Sequence, residues 1–140
     1  MDEFATVDAD QGVPVPAPLQ ALFNDAGQVR VQKLPCALPG LDSKVVHFAA
    51  GARTNPHRHA EGQHIIIVSG AGVVGDESGV RVVRTGDVIT SPPGGWHWHG
   101  ALPTEAMSHV TVENPGLDLE VERRDWDDVY TADLGGPDPR

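Results

Sequence analysis

The close spacing of glycine and proline constrains the fold of this chain more than any other feature. Its 140 residues include 16 glycines and 12 prolines, so apolar stretches stay short. Between these breaks lie runs rich in valine and isoleucine, such as 63–68 and 80–84, which favour β-strands. Many short strands, glycine and proline turns and almost no helix are typical of a β-sandwich or β-barrel. We therefore predict an all-β fold.

Alternation of apolar and polar residues predicts where the strands run. Residues 75–79 form the predicted turn of a hairpin. Helix is expected as a single turn at Leu19–Asn24 and as a short helix at Trp126–Leu134 that Asp125 would cap. The predicted strands cover residues 28–33, 44–50, 63–68, 73–74, 80–84, 88–90, 96–101, 107–113 and 117–123.

The length of the chain and the composition of its ends predict one domain. At 140 residues it is long enough for a single sizeable core. Residues 1–18 are acidic and then proline-rich, which is typical of an extended arm. We place the folded domain at 19–134 and a flexible C-terminal tail at 135–140.

Charge and cysteine content argue against several classes of protein. The net charge is −10, and no cluster of Lys and Arg is present that could neutralise phosphates, which argues against nucleic acid. No apolar run approaches the length of a membrane span, and the acidic N-terminus is unlike a signal peptide. The single cysteine, Cys36, cannot form an intrachain disulfide. These features predict a cytoplasmic protein without nucleic-acid or membrane partners.

Two blocks of the sequence, 51–70 and 86–101, carry side chains that can bind a metal. On a strand, residues two apart point to the same face, so an H-x-H pair brings two imidazoles to one point. Ligands on one short segment cannot surround an ion, so another histidine has to come from a second strand. Imidazole suits Zn, Cu, Fe and Ni, and an amide oxygen suits Mn. The predicted ligands are His57, His59, Gln63 and His97.

The alternative is that His57 and His59 are exposed loop residues that never approach His97. An H-x-H pair alone does not decide between these interpretations. The spacing of the glycine, proline and glutamine residues around the pair favours the metal site.

The first block resembles the first cupin motif, which reads G, five residues, H-x-H, three or four residues, E, six residues, G. Gly51, His57, His59 and Gly70 fit this pattern. Gln63 stands where the family usually has Glu. This change removes a negative ligand from the site.

The second block resembles the second cupin motif, which reads G, five residues, P-x-G, two residues, H, three residues, N. Gly86, Pro92, Gly94 and His97 fit this pattern, and Ala101 stands where Asn is usual. The resemblance covers about residues 28–131. It implies a single antiparallel β-barrel of the cupin type, also called a double-stranded β-helix or jelly roll.

A narrower resemblance concerns three segments, H-x-H-x-x-G-Q, P-G-x-x-H-W-H-G-A-x-P and A-M-x-H. Together they look like the small single-domain cupins that include bacterial manganese-dependent hydroxynitrile lyases, and the chain is also similar to quercetinase-like cupins. The resemblance implies one divalent metal ion per chain, with Mn or Fe favoured and Zn or Ni as alternatives. Since the histidines and the glutamine are neutral, such a site keeps the full charge of its ion.

Strand alternation also predicts an exposed aromatic face. If His97 points inward, so does His99, whereas Trp96 and Trp98 point outward. Outside the barrel, Trp98 would be either covered by a tail or buried in a dimer. With Ile66 they would leave an apolar patch in water. We therefore predict a homodimer.

The same alternation predicts the walls of a cavity beside the metal. The catalytic candidates are His109 and His99, although His99 could instead be a core histidine bonded to a backbone carbonyl. His47 takes the opposite face of its strand and is predicted at the surface or in an interface. Thr54 enters the cavity set because the cupin resemblance puts this position near the metal. The predicted pocket residues are Lys44, Val46, Phe48, Thr54, Met107 and Glu113, of which Lys44 and Glu113 could instead be a solvated rim pair.

The sequence is compatible with three functions, and the expected partner is a small-molecule substrate. The first is a metal-dependent lyase for cyanohydrin-like substrates, with a neutral His109 moving the proton. The second is an Fe or Mn dioxygenase of the quercetinase-like type. The third is a small-molecule binder without catalysis, or a protein whose metal is structural. Cupin folds support many chemistries, so the fold cannot choose among them.

Overall fold

A computed structural model describes residues 2–116 and 119–122 of the chain. Short 3₁₀ helices cover Ala9–Gln11, Ala17–Leu22 and Ala26–Gln28. No helix in this part of the chain is long and apolar enough to cross a membrane. The strands are β1 Val13–Pro14, β2 Val29–Lys33, β3 Asp42–Phe48, β4 His57–His59, β5 Gln63–Asp76, β6 Gly79–Arg84, β7 Val88–Ser91, β8 His97–Ala101, β9 Met107–Glu113 and β10 Leu119–Val121.

The strands pair antiparallel in two layers that share β5. The first half of β5 pairs with β7 and β9, and the layer continues through β3 and β2 to β1. The second half of β5 pairs with β6 and β8, and β8 continues to β4 and β10. Because one strand belongs to both layers, the sheet curls around a common interior. The predicted all-β antiparallel barrel is confirmed.

The bend in β5 depends on glycine. The register against β9 shifts between Ile67 and Ser69, and Gly70 follows with φ +71°. A Cβ at Gly70 would lie 1.9 Å from the carbonyl oxygen of Ala106, so a larger residue cannot replace it without moving β9. We predicted separate strands here, at 63–68 and 73–74. The structure has one strand, since glycine permits a bulge without ending the ladder.

Other predicted elements agree with the structure to within a few residues. Strand β9 has the predicted bounds, β3 begins and ends two residues earlier, and the expected helical turn near residue 19 is a 3₁₀ helix. The predicted helix at Trp126–Leu134, its cap and the tail at 135–140 lie outside the described residues. Strand β10 covers the described part of the strand predicted at 117–123. The predicted domain boundaries stay predictions.

An apolar core fills the space between the two layers. Val29, Phe48, Ile65, Ile67 and Met107 are each at most 2% exposed. Burial of such a side chain contributes about 1.5–3 kcal/mol to stability. This core supports the strands from which the histidines project.

We predicted that a tail or a partner subunit covers Trp98, and the structure shows that no partner subunit is needed to bury it. Trp98 is 1% exposed within the single chain and packs with Val73 and Val80. Gly75 makes room for it, since a Cβ there would lie 2.3 Å from the indole nitrogen. Trp96 is half-buried, and the Arg58 guanidinium carbon lies 4.8 Å from the centre of the Trp96 ring. The homodimer therefore loses its main argument and stays a prediction.

His47 is buried within the single chain, whereas we predicted it at the surface or in an interface. Its Nδ1 lies 2.6 Å from the Ser108 hydroxyl, and its Nε2 lies 3.0 Å from the Gln32 side-chain oxygen. The N-terminal arm covers this face: Gln32 also accepts the Asp8 N–H and donates to the Thr6 carbonyl. Alternation predicted the face of β3 correctly but could not predict that the arm covers it.

Candidate metal centre

Three histidines from two neighbouring strands converge inside the barrel. His57 and His59 lie at the two ends of β4, and His57 is paired directly with His97 on β8. One ring nitrogen from each of the three residues lies within 4.8 Å of the others. The ring centres of His57 and His97 are 4.4 Å apart. The loop alternative for His57 and His59 is therefore excluded.

The outward nitrogen of each ring has a partner that turns the other nitrogen inward. His57 Nδ1 lies 2.8 Å from the Asn55 carbonyl oxygen, and His97 Nδ1 lies 2.8 Å from the Ser91 hydroxyl. Nδ1 of His59 lies 3.3 Å from a carboxylate oxygen of Glu113. The Nε2 atoms of His59 and His97 are buried without a hydrogen-bond partner. Metal-binding histidines typically have this arrangement.

Gln63 presents a buried oxygen to the same cavity. Its amide nitrogen donates to the Thr111 hydroxyl at 2.7 Å, and its side-chain oxygen is buried without a hydrogen-bond partner. Each buried polar atom without a partner costs about 1–3 kcal/mol. A divalent cation would satisfy the oxygen and the free imidazole nitrogens together. The donor set therefore fits a divalent ion.

Burial keeps these imidazoles neutral, as metal binding requires. Desolvation, reinforced by nearby histidines, lowers the pKa of His97 to about 3 and that of His57 well below its usual value. Desolvation also lowers the pKa of His59; the Glu113 carboxylate raises this pKa, whereas the charge of Lys44 lowers it. Free nitrogen lone pairs are thus available near neutral pH.

A small cavity of about 50 Å³ is lined by His57 and His59 but not by His97, and the N-terminal segment supplies one of its walls. Leu19, Leu22 and Phe23 form this apolar wall. Backbone bonds hold it in place, because the Asn24 N–H donates to the Arg53 carbonyl and the Asn55 N–H donates to the Leu22 carbonyl. We did not predict this wall from the sequence. The apolar pair Leu22–Phe23 beside the arm was the available signal.

The predicted pocket residues divide into two groups. Lys44, Val46, Thr54, Glu113 and the predicted catalytic His99 line the cavity. The others do not line it: Phe48, Met107 and the predicted catalytic His109 are fully buried behind its wall.

His99 and His109 form a buried pair next to the metal ligands. His109 Nε2 lies 3.0 Å from His99 Nδ1, and the free Nε2 of His99 is buried without a partner. The His99 backbone N–H donates to the Thr54 hydroxyl, which fixes β8 beside the residues preceding β4. Desolvation and neighbouring histidines lower the pKa of His99 well below its usual value, and desolvation lowers that of His109 to about 3. Both rings are therefore neutral.

The fold and the three-histidine site define a cupin. A family model described as the Cupin domain matches residues 44–113, and the chain belongs to this family. The chain is also 38% identical over 106 residues to an (R)-mandelonitrile lyase of Granulicella tundricola, covering 71% of this chain and 76% of that protein. The resemblance to small cupins of the hydroxynitrile lyase kind is thus confirmed.

Solved structures agree with this assignment. A cupin-like protein from Thermotoga maritima superposes with a TM-score of 0.68 at 28% identity, covering 87% of this chain and 89% of that one. A cupin 2 conserved barrel domain protein from Rhodopseudomonas palustris has a TM-score of 0.66 at 22% identity, covering 89% of this chain and 81% of the other. At that identity the second likeness shows the fold alone.

Proposed function

We propose that this chain is a metal-dependent lyase that cleaves and forms cyanohydrins. The observation that carries the proposal is the set of buried, unsatisfied nitrogen and oxygen atoms beside a neutral His99 in a partly apolar cavity. The likeness to a protein named (R)-mandelonitrile lyase supports the same chemistry.

His57, His59, Gln63 and His97 would hold one divalent ion per chain, and Mn or Fe are the favoured metals. When bound, the ion supplies Lewis acidity toward a hydroxyl or carbonyl oxygen. The side chains of the protein would bind the organic group of the substrate, exclude water and move one proton.

The cleavage step needs a base for the substrate hydroxyl. The hydroxyl proton passes to the base while the C–C bond to the nitrile breaks, cyanide leaves with the electron pair, and the carbon becomes a carbonyl. The proton then reaches the cyanide, which leaves as HCN. His99 suits this role better than the predicted His109, because His99 lines the cavity and has a free Nε2.

His109 has a positioning role in this proposal. It contacts His99 Nδ1 at 3.0 Å and would set which nitrogen of His99 carries the hydrogen. The apolar wall formed by Leu19, Leu22 and Phe23 would receive the hydrocarbon part of the substrate.

We further propose a cytoplasmic homodimer without nucleic-acid or membrane partners.

The test is release of benzaldehyde from mandelonitrile by protein loaded with Mn²⁺, or with Fe²⁺ under nitrogen. We expect activity both in air and under nitrogen, and none in the His57→Ala/His59→Ala variant. Activity that requires air would favour the dioxygenase. No turnover of any cyanohydrin by fully metal-loaded protein would contradict the proposal and favour a binder.

A further inference from the structure

Glu113 lies between a candidate metal ligand and a lysine. One carboxylate oxygen lies 3.3 Å from His59 Nδ1, and the other lies 3.1 Å from Lys44 Nζ. The Glu113 side chain is 13% exposed and Lys44 is 25% exposed, so water screens this contact only in part. The carboxylate is therefore shared by a ligand and a cation.

This partner distinguishes His59 from the other two histidines. His57 Nδ1 faces a backbone carbonyl and His97 Nδ1 faces a hydroxyl, and both of these groups are neutral. A carboxylate is a stronger acceptor for an imidazole N–H, and it makes the opposite nitrogen a better electron donor to a metal.

The ligand set makes this negative charge important. Three imidazoles and the amide of Gln63 bring no charge to a divalent ion. Glu113 places a negative charge one imidazole away from the point on which the free nitrogens converge.

We propose that Glu113 is a positioning residue of the metal centre. It holds His59 with Nε2 toward the ion and partly compensates for the missing acidic ligand, while Lys44 weakens that compensation. The inference rests on the metal site and does not depend on lyase activity, so metal affinity tests it without any substrate.

The main test compares Glu113→Gln with Glu120→Gln in a competition between protein and chelator for Mn²⁺ or Zn²⁺. Glu120 pairs with Arg58 on the ligand strand β4 at 2.8 Å but is 65% exposed, so its substitution removes an equal charge without touching a ligand. We expect a loss of affinity of ~10–100-fold in Glu113→Gln and almost none in Glu120→Gln. No loss in Glu113→Gln, or equal losses in both variants, would overturn the proposal.

Lys44→Met supplies a test with the opposite sign. It leaves the full carboxylate charge to His59 and removes a cation beside the site, so metal should bind at least as tightly as in the wild type. Glu113→Asp keeps the charge but draws the carboxylate back, and its affinity should fall. These two variants decide the question if Glu113→Gln does not fold. Weaker binding by Lys44→Met, or wild-type binding by Glu113→Asp, would contradict the positioning role.

A spectroscopic measurement separates positioning from general charge. In zinc-loaded protein with ¹⁵N-labelled histidine, the Nδ1–H proton of His59 should resonate downfield because it faces a carboxylate. This signal should move upfield in Glu113→Gln and stay in place in Glu120→Gln. An unchanged signal in Glu113→Gln would show that the carboxylate does not hold the ring.

Discussion

Two polar clusters that contain histidine lie on different sides of the layer that contains β3. The outer cluster is His47 with Gln32 and Ser108, and the inner cluster is His57, His59 and His97. Outside this layer and beneath the N-terminal arm, both nitrogens of His47 have partners, Ser108 and Gln32. Inside the barrel, His59 and His97 have a partner at Nδ1 and none at Nε2. His47 and His97 are equally buried, each 6% exposed, but their hydrogen bonding differs.

This difference indicates what each cluster does. A polar atom that is buried and bonded adds to stability, whereas a buried atom without a partner costs free energy. The outer cluster is complete without a ligand. The inner cluster leaves several acceptor atoms pointing to one place, an arrangement that a cation would stabilise. The partner of the second nitrogen is more informative than the burial of the ring.

The largest expected effect separates the clusters by metal content. His57→Ala/His59→Ala removes two of the four proposed ligands and should abolish stoichiometric binding. His47→Ala removes a histidine of similar burial and should keep one ion per chain. Elemental analysis after reconstitution and desalting measures both. Metal retained by the double variant, or lost from His47→Ala, would break the distinction between the clusters.

The next effect concerns a histidine that adjoins the inner cluster without being a proposed ligand. His99→Ala should keep the metal and lose ~10²–10⁴-fold in cyanohydrin turnover, as loss of a general base does. His109→Ala should lose less, since His109 acts through His99. Turnover and metal content are measured on the same samples. A larger loss in His109→Ala than in His99→Ala would return the base to the position predicted from sequence.

A smaller effect tests the outer cluster. His47→Ala leaves the Gln32 oxygen with the Asp8 N–H as its remaining partner and deprives Ser108 of its bond to the ring. Unfolding in urea should show a loss of about 1–3 kcal/mol. An unchanged free energy of unfolding would mean that water replaces the ring without cost.

Local patterns in the sequence predicted well which histidines converge and predicted the depth of other side chains poorly. The H-x-H spacing and strand alternation apply within a few residues, and they placed His57, His59 and His97 on one point. Alternation also turned both His99 and His109 inward, yet His99 reaches the cavity and His109 lies behind it. The depth of His109 depends on the register of β9 against β3, where it pairs with Val46, and that of His99 on the register of β8 against β5, where it pairs with Val74. Such long-range pairing leaves no local signature, and the burial of Trp98 by β6 was missed for the same reason.

The last expected effect is a change in how stability depends on pH. Burial lowers the pKa of His109 to about 3, whereas in the unfolded chain it returns to about 6.5. Between these values the unfolded chain binds more protons, so acidification below about 6.5 destabilises the fold by up to about 1.4 kcal/mol per pH unit for this group. Above about 6.5 both states are neutral and the contribution is flat.

His109→Gln removes this titration, and the wild-type protein is its reference. Urea unfolding of metal-free protein between about pH 4.5 and 7.5 should show a shallower slope for the variant at the acidic end, with the difference approaching one proton. The same slope in both proteins would mean that His109 binds a proton as readily folded as unfolded. The inner cluster would then be hydrated. Its unsatisfied atoms would no longer cost free energy, and this difference from the outer cluster would disappear.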